Sequence, residues 1–525
     1  MRLLWSLFSA RRQSIQHASL LLAITALLSN ALGLLRNLIF YRFVDPGQLD
    51  VYFASFRVAD FIFNLLIFGT VTSAVIPVLA EMIAQHKEKE AHELTNQLLA
   101  IATLFFLVLI VILAIVMPSA LRLIVPGFDH ARFTQAVFLS RLLLLQTVFF
   151  SWSFIVGALL NGYRRFATYA LAPLFYNCAI IVGGLLAARY GITVIAVSVI
   201  VGSLLHFAIQ FREVRSIGFK VRPRLKVTEP VREIGKLMLP RSISQGMSQL
   251  VLIVYTSLAS GLQAGSIAIF SGMNDLQTTP TVIVGNSLAT AFFPTLAGHV
   301  AKDERDETGV LFLKVLKAAF FLLIPTLVLM FVLRAQVVRL YFGIGGASWQ
   351  LTEIAIQVYI MFLIGIIPAS MVAILSRVFY ALKDTVTPMK ISLISGTVAI
   401  ATAVIGIKWL GWDVAILALA ESLLSLTQAA LYLYILHNRS HFSFSIGSLF
   451  KPILRYSVGA VVLAFATWAT LHAVAHVFST DHTLNLLVQL LAAAAIGTLA
   501  YLGYSARISK EELRWTALKT FLSNR

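Results

Sequence analysis

Long apolar runs, interrupted at intervals by short polar or basic connections, set the pattern of this chain. About 20 predominantly apolar residues are enough to cross a bilayer as a helix. On that measure the runs predict fourteen spans, near 18–44, 50–84, 95–124, 134–162, 167–189, 191–213, 232–262, 265–300, 308–341, 350–382, 385–409, 412–437, 450–477 and 484–505. The first run follows Arg2, Arg11 and Arg12, as the core of a signal peptide would. It is too long for that, lacks a small-residue cleavage site and precedes many further spans, so it is read as a retained helix. The expected fold class is an all-α polytopic membrane protein.

Polar residues inside the runs are not scattered. Asp50, Arg57 and Asn64 are spaced seven apart and Asp60 lies three beyond Arg57, so all four fall near one face of a helix. A charge at bilayer depth costs roughly 2.5–3.5 kcal/mol on insertion scales, which marks such a face as a functional interior unless it only joins helices. Span 1 carries Ser29, Asn30, Arg36 and Asn37, and span 7 carries Arg241, Gln245, Ser248 and Gln249. Span 8 carries Ser271, Asn274, Asp275 and Thr278, then Pro280, Gly285 and Asn286, and is expected to bend near its middle. These stripes predict one water-filled cavity between two halves, made cationic by Arg36, Arg57 and Arg241. Asp50, Asp60 and Asp275 would hold the arginines or bind a coupling cation. The lone His206 and Glu421 read as satisfied packing residues.

Two segments repeat. Thr72–Ala80 (TSAVIPVLA) matches Ala289–Ala297 (ATAFFPTLA) at an offset of 217, and the basic turn near Arg164 resembles the one near Lys383 at a similar offset. An even number of spans separates the copies, so both keep one topology, a parallel repeat of the kind secondary transporters use. The predicted organisation is an N-terminal lobe, 1–215 (spans 1–6), a basic linker, 216–231, a C-terminal lobe, 232–440 (spans 7–12), and two further spans with a tail, 441–525.

Composition agrees. Of 525 residues, 59% are hydrophobic and 12% charged, about half the charge of a soluble domain. The net charge of +18 (41 basic minus 23 acidic) would favour nucleic acid in a soluble protein. Here roughly 26 Lys and Arg fall in one alternating set of connections against about three (Arg132, Arg189, Lys408) in the other, which places both termini in the cytoplasm and excludes nucleic acid as a partner. The linker's Arg222, Arg224 and Lys226 also suit anionic lipid headgroups. One cysteine, Cys178, permits no intrachain disulfide and no cysteine zinc site. No metal-ligand spacing, phosphate-binding glycine loop or nucleophile–base pair is present, so a transporter without a cofactor is expected rather than an enzyme.

Several motifs then resemble one family, the lipid II flippases of the MurJ (MviN) type in the multidrug/oligosaccharidyl-lipid/polysaccharide (MOP) exporter group. They are Gly33-Leu-Leu-Arg36 followed by Asp50, Ile76-Pro77 through Glu81, Pro126-Gly127-Phe128, Gly157 through Asn161 with Arg165-Phe166, Ala172-Pro173 with Asn177, and Phe379-Tyr380 with Asp384, Thr387-Pro388 and Lys390. The resemblance implies fourteen spans in two lobes and a cationic cavity that carries an undecaprenyl-diphosphate-linked peptidoglycan precursor outward by alternating access in the bacterial cytoplasmic membrane. Arg36 and Asp50 carry over from it directly. Asn30, Phe63 and Asn274-Asp275 stand where the family often has Arg, Arg and Asp-Arg, with Arg57 and Arg241 as replacements for that charge. The candidate substrate-binding set is Arg36, Asp50, Arg57, Asp60, Asn64, Arg241, Asn274 and Asp275. The implied partners are a lipid-linked diphosphate glycan, membrane lipids and cell-wall synthesis proteins, with the chain a monomer and a coupling ion or the membrane potential as driving force. Rival readings are a flippase for another polyprenyl-linked glycan, a cation-coupled drug antiporter, or a scaffold for cell-wall synthases. A reporter active only in the cytoplasm should be active when fused after Arg165 and after Lys383 and inactive after Arg132; the opposite pattern would invert the topology.

Overall fold

A computed structural model describes residues 15–68, 74–343, 349–438, 446–477, 482–509 and 512; for residues 15–20, 22, 23, 68, 237–245, 343 and 446 it describes the backbone alone. Every regular element among the described residues is helical. A bilayer demands this, since hydrocarbon offers no partner for an unpaired backbone N–H or C=O and a helix satisfies both internally. Twelve helical segments among the described residues are long and apolar enough to cross a membrane. The two remaining predicted spans are also helical over most of their length, at 46–68 with 76–84 and at 229–260, without meeting that criterion.

In chain order the helices are α1 (Ile15–Phe43), α2 (Pro46–Ile62), α3 (Ile76–Ala84), α4 (Glu88–Ile124), α5 (His130–Leu143), α6 (Leu145–Gly162), α7 (Ala167–Tyr190), α8 (Thr193–Ser216) and α9 (Glu229–Ser260). They continue with α10 (Ser266–Pro280), α11 (Ser287–Ala301), α12 (Arg305–Val332), α13 (Arg334–Val338), α14 (Trp349–Leu363), α15 (Ile366–Ala381), α16 (Val386–Lys408), α17 (Ala415–His437), α18 (Phe450–Ala475) and α19 (Thr483–Ile508). Two compact units divide at Ala268/Ile269. The basic linker, 216–231, lies inside the first unit because α9, which follows it, packs there against α2 and α4.

The internal repeat is visible in the elements themselves. Span 2 is interrupted by a π-helical turn, Phe63–Phe68, and span 8 by another, Thr281–Asn286, close to the 217-residue offset. The helices after them end at Ala84 and Ala301, again 217 apart. The interruption expected near the middle of span 8 is present as a π-helical turn, and span 2 contains one as well. Four helix ends share one further device. His86, Arg164, Asp303 and Lys383 are the described non-glycine residues with positive φ. In each case the next residue donates its N–H five residues back, Lys87 to Met82, Arg165 to Leu160, Glu304 to His299 and Asp384 to Phe379. That is the Schellman closure, which satisfies the last carbonyls of a helix. At the third of these turns the His299 imidazole, bonded to Glu304 at 2.5 Å, holds that carboxyl below its ordinary range.

Prolines inside helices leave orphan carbonyls, and other helices supply the missing donors. Pro118 cannot donate to Ala114 O, which instead accepts from Arg141 Nε of α5 at 2.8 Å. Pro325 leaves Phe321 O free, and the Tyr501 hydroxyl of α19 donates to it at 2.9 Å. That bond sits in a core where the Phe321 ring also meets Tyr456 and Tyr501 at centroid distances of 5.5 and 5.4 Å. His206 is buried and packs as expected, with Nδ1 2.6 Å from Ser153 Oγ and its ring against Phe150 and Phe154. Removing the donor in Tyr501→Phe should destabilise the protein by about 1–3 kcal/mol, the cost of a buried unpaired carbonyl. Pro325→Ala restores an N–H to that carbonyl, so thermal unfolding of the double variant in detergent should show no penalty from Tyr501→Phe; an undiminished penalty would refute the assignment.

Candidate functional site

The first unit gathers most of the expected polar residues on α1, α2, α7 and α9. Arg36 is half-buried on α1. Its Nε donates to Asn37 Oδ1 at 3.1 Å and its Nη1 to Asn177 Oδ1 of α7 at 3.4 Å. Asn177 in turn donates to Ser29 Oγ at 3.2 Å and to Pro173 O at 3.1 Å, so its oxygen is aimed at the guanidinium. Both acceptors facing Arg36 are uncharged amides. They hold the side chain in place, and among the described residues no carboxylate stands at hydrogen-bond range of it.

Arg57, also half-buried, points from α2 to α9, where Thr256 Oγ1 accepts from its Nε at 2.7 Å. Thr256 can accept there because its own hydroxyl proton goes to Leu252 O at 2.8 Å. Asp60, three residues on, lies in the electrostatic field of both Arg57 and Arg36. Tyr52 and Tyr176 lie within the field of Arg36 as well. Two guanidinium groups around one carboxylate make a cluster whose formal charge is +1. Asn64 falls on the π-helical turn that follows α2 and donates to Asp60 O at 2.9 Å, closing the helix end beneath the cluster.

Asp50 stands apart from these groups. It is 3% exposed, and its two oxygens accept from the backbone N–H of Gly265 at 2.6 Å and of Ala268 at 2.8 Å. The start of α10 presents unsatisfied N–H groups and a positive dipole end, which a carboxylate complements. Tyr41 reaches the same turn, its hydroxyl donating to Ala268 O at 2.7 Å. Gly127 packs against the end of α9 so closely that a Cβ there would lie 2.4 Å from Ser260 O. The C-terminal ends of α1, α4 and α9 and the N-terminal end of α2 are thereby tied together around one turn. Asp50 belongs to this fastening, seven residues or about 10 Å along α2 from Arg57.

Asn274 and Asp275 lie half-buried on α10, in the second unit, with their backbone carbonyls accepting from Thr278 and Thr279. Arg241 lies in α9, and its side chain is outside the described residues. Phe63, at a position where the resemblance leads one to look for an arginine, packs on Phe150 and Phe154 at 5.1 and 5.6 Å. The candidate set omits Asn37, Asn177 and Thr256, which orient the arginines, although Asn37 lies in the span 1 stripe and Asn177 in a family motif; Thr256 lies in neither. Asn177 carried a signal, since it lies four residues after Pro173 within an apolar run. No group of three or more His, Cys, Asp or Glu side chains able to hold a metal occurs among the described residues.

The family profile described as "Lipid II flippase MurJ" matches residues 42–492. The chain belongs to the lipid II flippase MurJ family. Among curated MurJ relatives, "Lipid II flippase MurJ" of Burkholderia cenocepacia is 26% identical over 383 residues, 70% of this chain and 73% of its own. "Probable lipid II flippase MurJ" of Haemophilus influenzae is 28% identical over 393 residues, covering 70% and 76%. Among solved structures, "Lipid II flippase MurJ, inward closed conformation" superposes with a TM-score of 0.76 at 22% identity, covering 94% of this chain and all of that one. An inward-facing multidrug resistance MATE transporter of the MOP superfamily gives 0.66 at 14% identity, covering 79% and 97%. The fold is thus that of MurJ and MATE proteins, a multi-pass membrane architecture. In this MurJ-family chain, Asp50→Ala should strand two backbone N–H groups and cost about 2–5 kcal/mol, with Asp50→Asn recovering part of the loss. Thermal unfolding of the three proteins in detergent checks this, and an unshifted Asp50→Ala would show that the turn does not depend on the carboxylate.

Proposed function

We propose that this protein is a lipid II flippase, moving the undecaprenyl-diphosphate-linked peptidoglycan precursor from the inner to the outer leaflet of the cytoplasmic membrane by alternating access, with both termini in the cytoplasm. The observation that carries this reading is the half-buried Arg36 guanidinium held by neutral amides, beside Arg57 and one carboxylate. A diphosphate cannot cross hydrocarbon bare, because an unpaired charge there costs many kcal/mol. A guanidinium fork gives its oxygens paired donors in place of water. Arg36 and Arg57 meet the diphosphate, Asp60 keeps the two cations apart and oriented when the site is empty, and Asn64 supplies a polar contact to the head group. Asp50 supports the set from the outer end by fixing where α10 starts. An inside-negative potential assists outward movement of the anion by about 2.3 kcal/mol per charge per 100 mV. This is transport without covalent chemistry.

The departures at Asn30, Phe63 and Asn274-Asp275 favour one second reading within the same chemistry, a polyprenyl diphosphate bearing a different glycan. Depletion separates the two, because the precursor that accumulates at the inner leaflet identifies the cargo. In a strain depleted of its own flippase, the wild-type chain should restore growth, while Arg36→Ala and Arg57→Ala should insert normally and fail to export precursor, lowering flipping at least about tenfold, as loss of charge-assisted hydrogen bonds would. Normal export by both variants would refute the assignment.

A further inference from the structure

The linker between α8 and α9 is not a loose loop. The Asn96 side chain of α4 grips it twice, donating from Nδ2 to Lys220 O at 3.0 Å and accepting from Arg222 N at 2.7 Å. Thr228 donates to Gln97 Oε1 at 2.7 Å, and buried Phe219 packs perpendicular to the His92 ring at a centroid distance of 5.4 Å. Between these anchors the sequence reads Lys220-Val221-Arg222-Pro223-Arg224-Leu225-Lys226-Val227, basic and apolar in alternation. A tight turn, with Lys226 N donating to Arg224 O at 3.0 Å, pushes Leu225 outward. Val221, Leu225 and Val227 are 50%, 67% and 59% exposed, and all four basic residues are exposed as well. Arg224 has Glu93 at 4.0 Å, whereas Lys220, Arg222 and Lys226 form no ion pair among the described residues. Three bare aliphatic side chains on a fixed, highly basic strap do not suit water alone. They suit an interface with apolar chains below and phosphate groups above.

A cavity lies between the helix that clamps the strap and the helix that follows it. Its volume is about 280 Å³, and its lining is aliphatic and aromatic apart from Ser151. Leu98, Ile101, Ala102 and Phe105 of α4 form one wall, just past the Asn96 and Gln97 anchors. Val231 and Ile234 of α9 form another, just past the end of the strap. The helix that clamps the basic strap and the helix that follows it thus also wall an apolar slot, beginning within two to three residues of each attachment. An ordinary positive-inside loop needs neither the side-chain clamps nor the slot.

We propose that this is a binding site for an anionic phospholipid of the cytoplasmic leaflet, its phosphate on Lys220, Arg222 and Lys226 and one acyl chain in the cavity. The site rests on the orientation proposed above and is separate from the Arg36–Arg57 cluster. The test uses the full chain in nanodiscs of equal phosphatidylglycerol and phosphatidylcholine, with retained lipid identified by native mass spectrometry. Wild type should retain phosphatidylglycerol over phosphatidylcholine by at least about tenfold, since each basic residue near a membrane surface contributes roughly a fivefold factor before screening. The triple variant Lys220→Gln, Arg222→Gln, Lys226→Gln should lose that preference. Asn96→Ala keeps every charge but releases the strap, and should also weaken the preference. Ala102→Trp fills the slot and should abolish retention. No preference in wild type, an undiminished one in the triple variant or in Asn96→Ala, unchanged retention in Ala102→Trp, or a polyprenyl diphosphate in the phospholipid's place would each overturn the proposal. Precursor flipping measured on the same proteins keeps the two readings apart, because lost lipid retention with intact flipping concerns the strap, and lost flipping in Arg36→Ala with intact retention concerns transport.

Discussion

Hydrocarbon supplies no hydrogen bonds, so every polar group placed in it must be answered by another part of the chain or by a ligand. That constraint orders most of what this structure does. It explains why Arg141 reaches the carbonyl orphaned by Pro118 and why Tyr501 reaches the one orphaned by Pro325. It explains why the Asp50 carboxylate is spent on two backbone amides at the head of α10. Arg36 is the informative contrast. Its partners are neutral amide oxygens, which orient a guanidinium without cancelling it, and the side chain remains half-buried instead of sealed. Under the proposed function, that retained charge is what meets the anion to be carried.

Much of the architecture could be read from residues alone. Apolar runs gave the helices, because a membrane span has a length set by the bilayer and few ways to satisfy its backbone. The repeat between Thr72–Ala80 and Ala289–Ala297 proved deeper than nine residues, extending to paired π-helical turns and matching helix ends. The break in span 2 was less conspicuous, since its π-helical turn Phe63–Phe68 holds no proline or glycine, whereas the one in span 8 follows Pro280 and contains Gly285.

The site was less legible, for a physical reason. Periodicity along one helix places Asp50, Arg57 and Asn64 on one face but cannot say which partner each meets across space. Asp50 meets amides 215 and 218 residues away, and Arg57 meets a threonine 199 away. Such contacts depend on packing, and nothing in local spacing announces them. The groups that orient the arginines are also the inconspicuous ones, an asparagine after a proline and a threonine bonded to its own helix.

The proposed function requires that the Arg36–Arg57–Asp60 cluster keep its positive charge for a diphosphate and not serve as a neutral ion-pair joint between helices. The affinity of the purified protein in detergent for a short-chain prenyl diphosphate separates these directly when Arg36→Gln and Asp60→Asn are compared. A site for an anion predicts at least about tenfold weaker binding for Arg36→Gln and equal or tighter binding for Asp60→Asn, since the latter removes a like charge from the ligand's surroundings. If Asp60→Asn weakens binding as much as Arg36→Gln does, the cluster is a structural joint and the account fails.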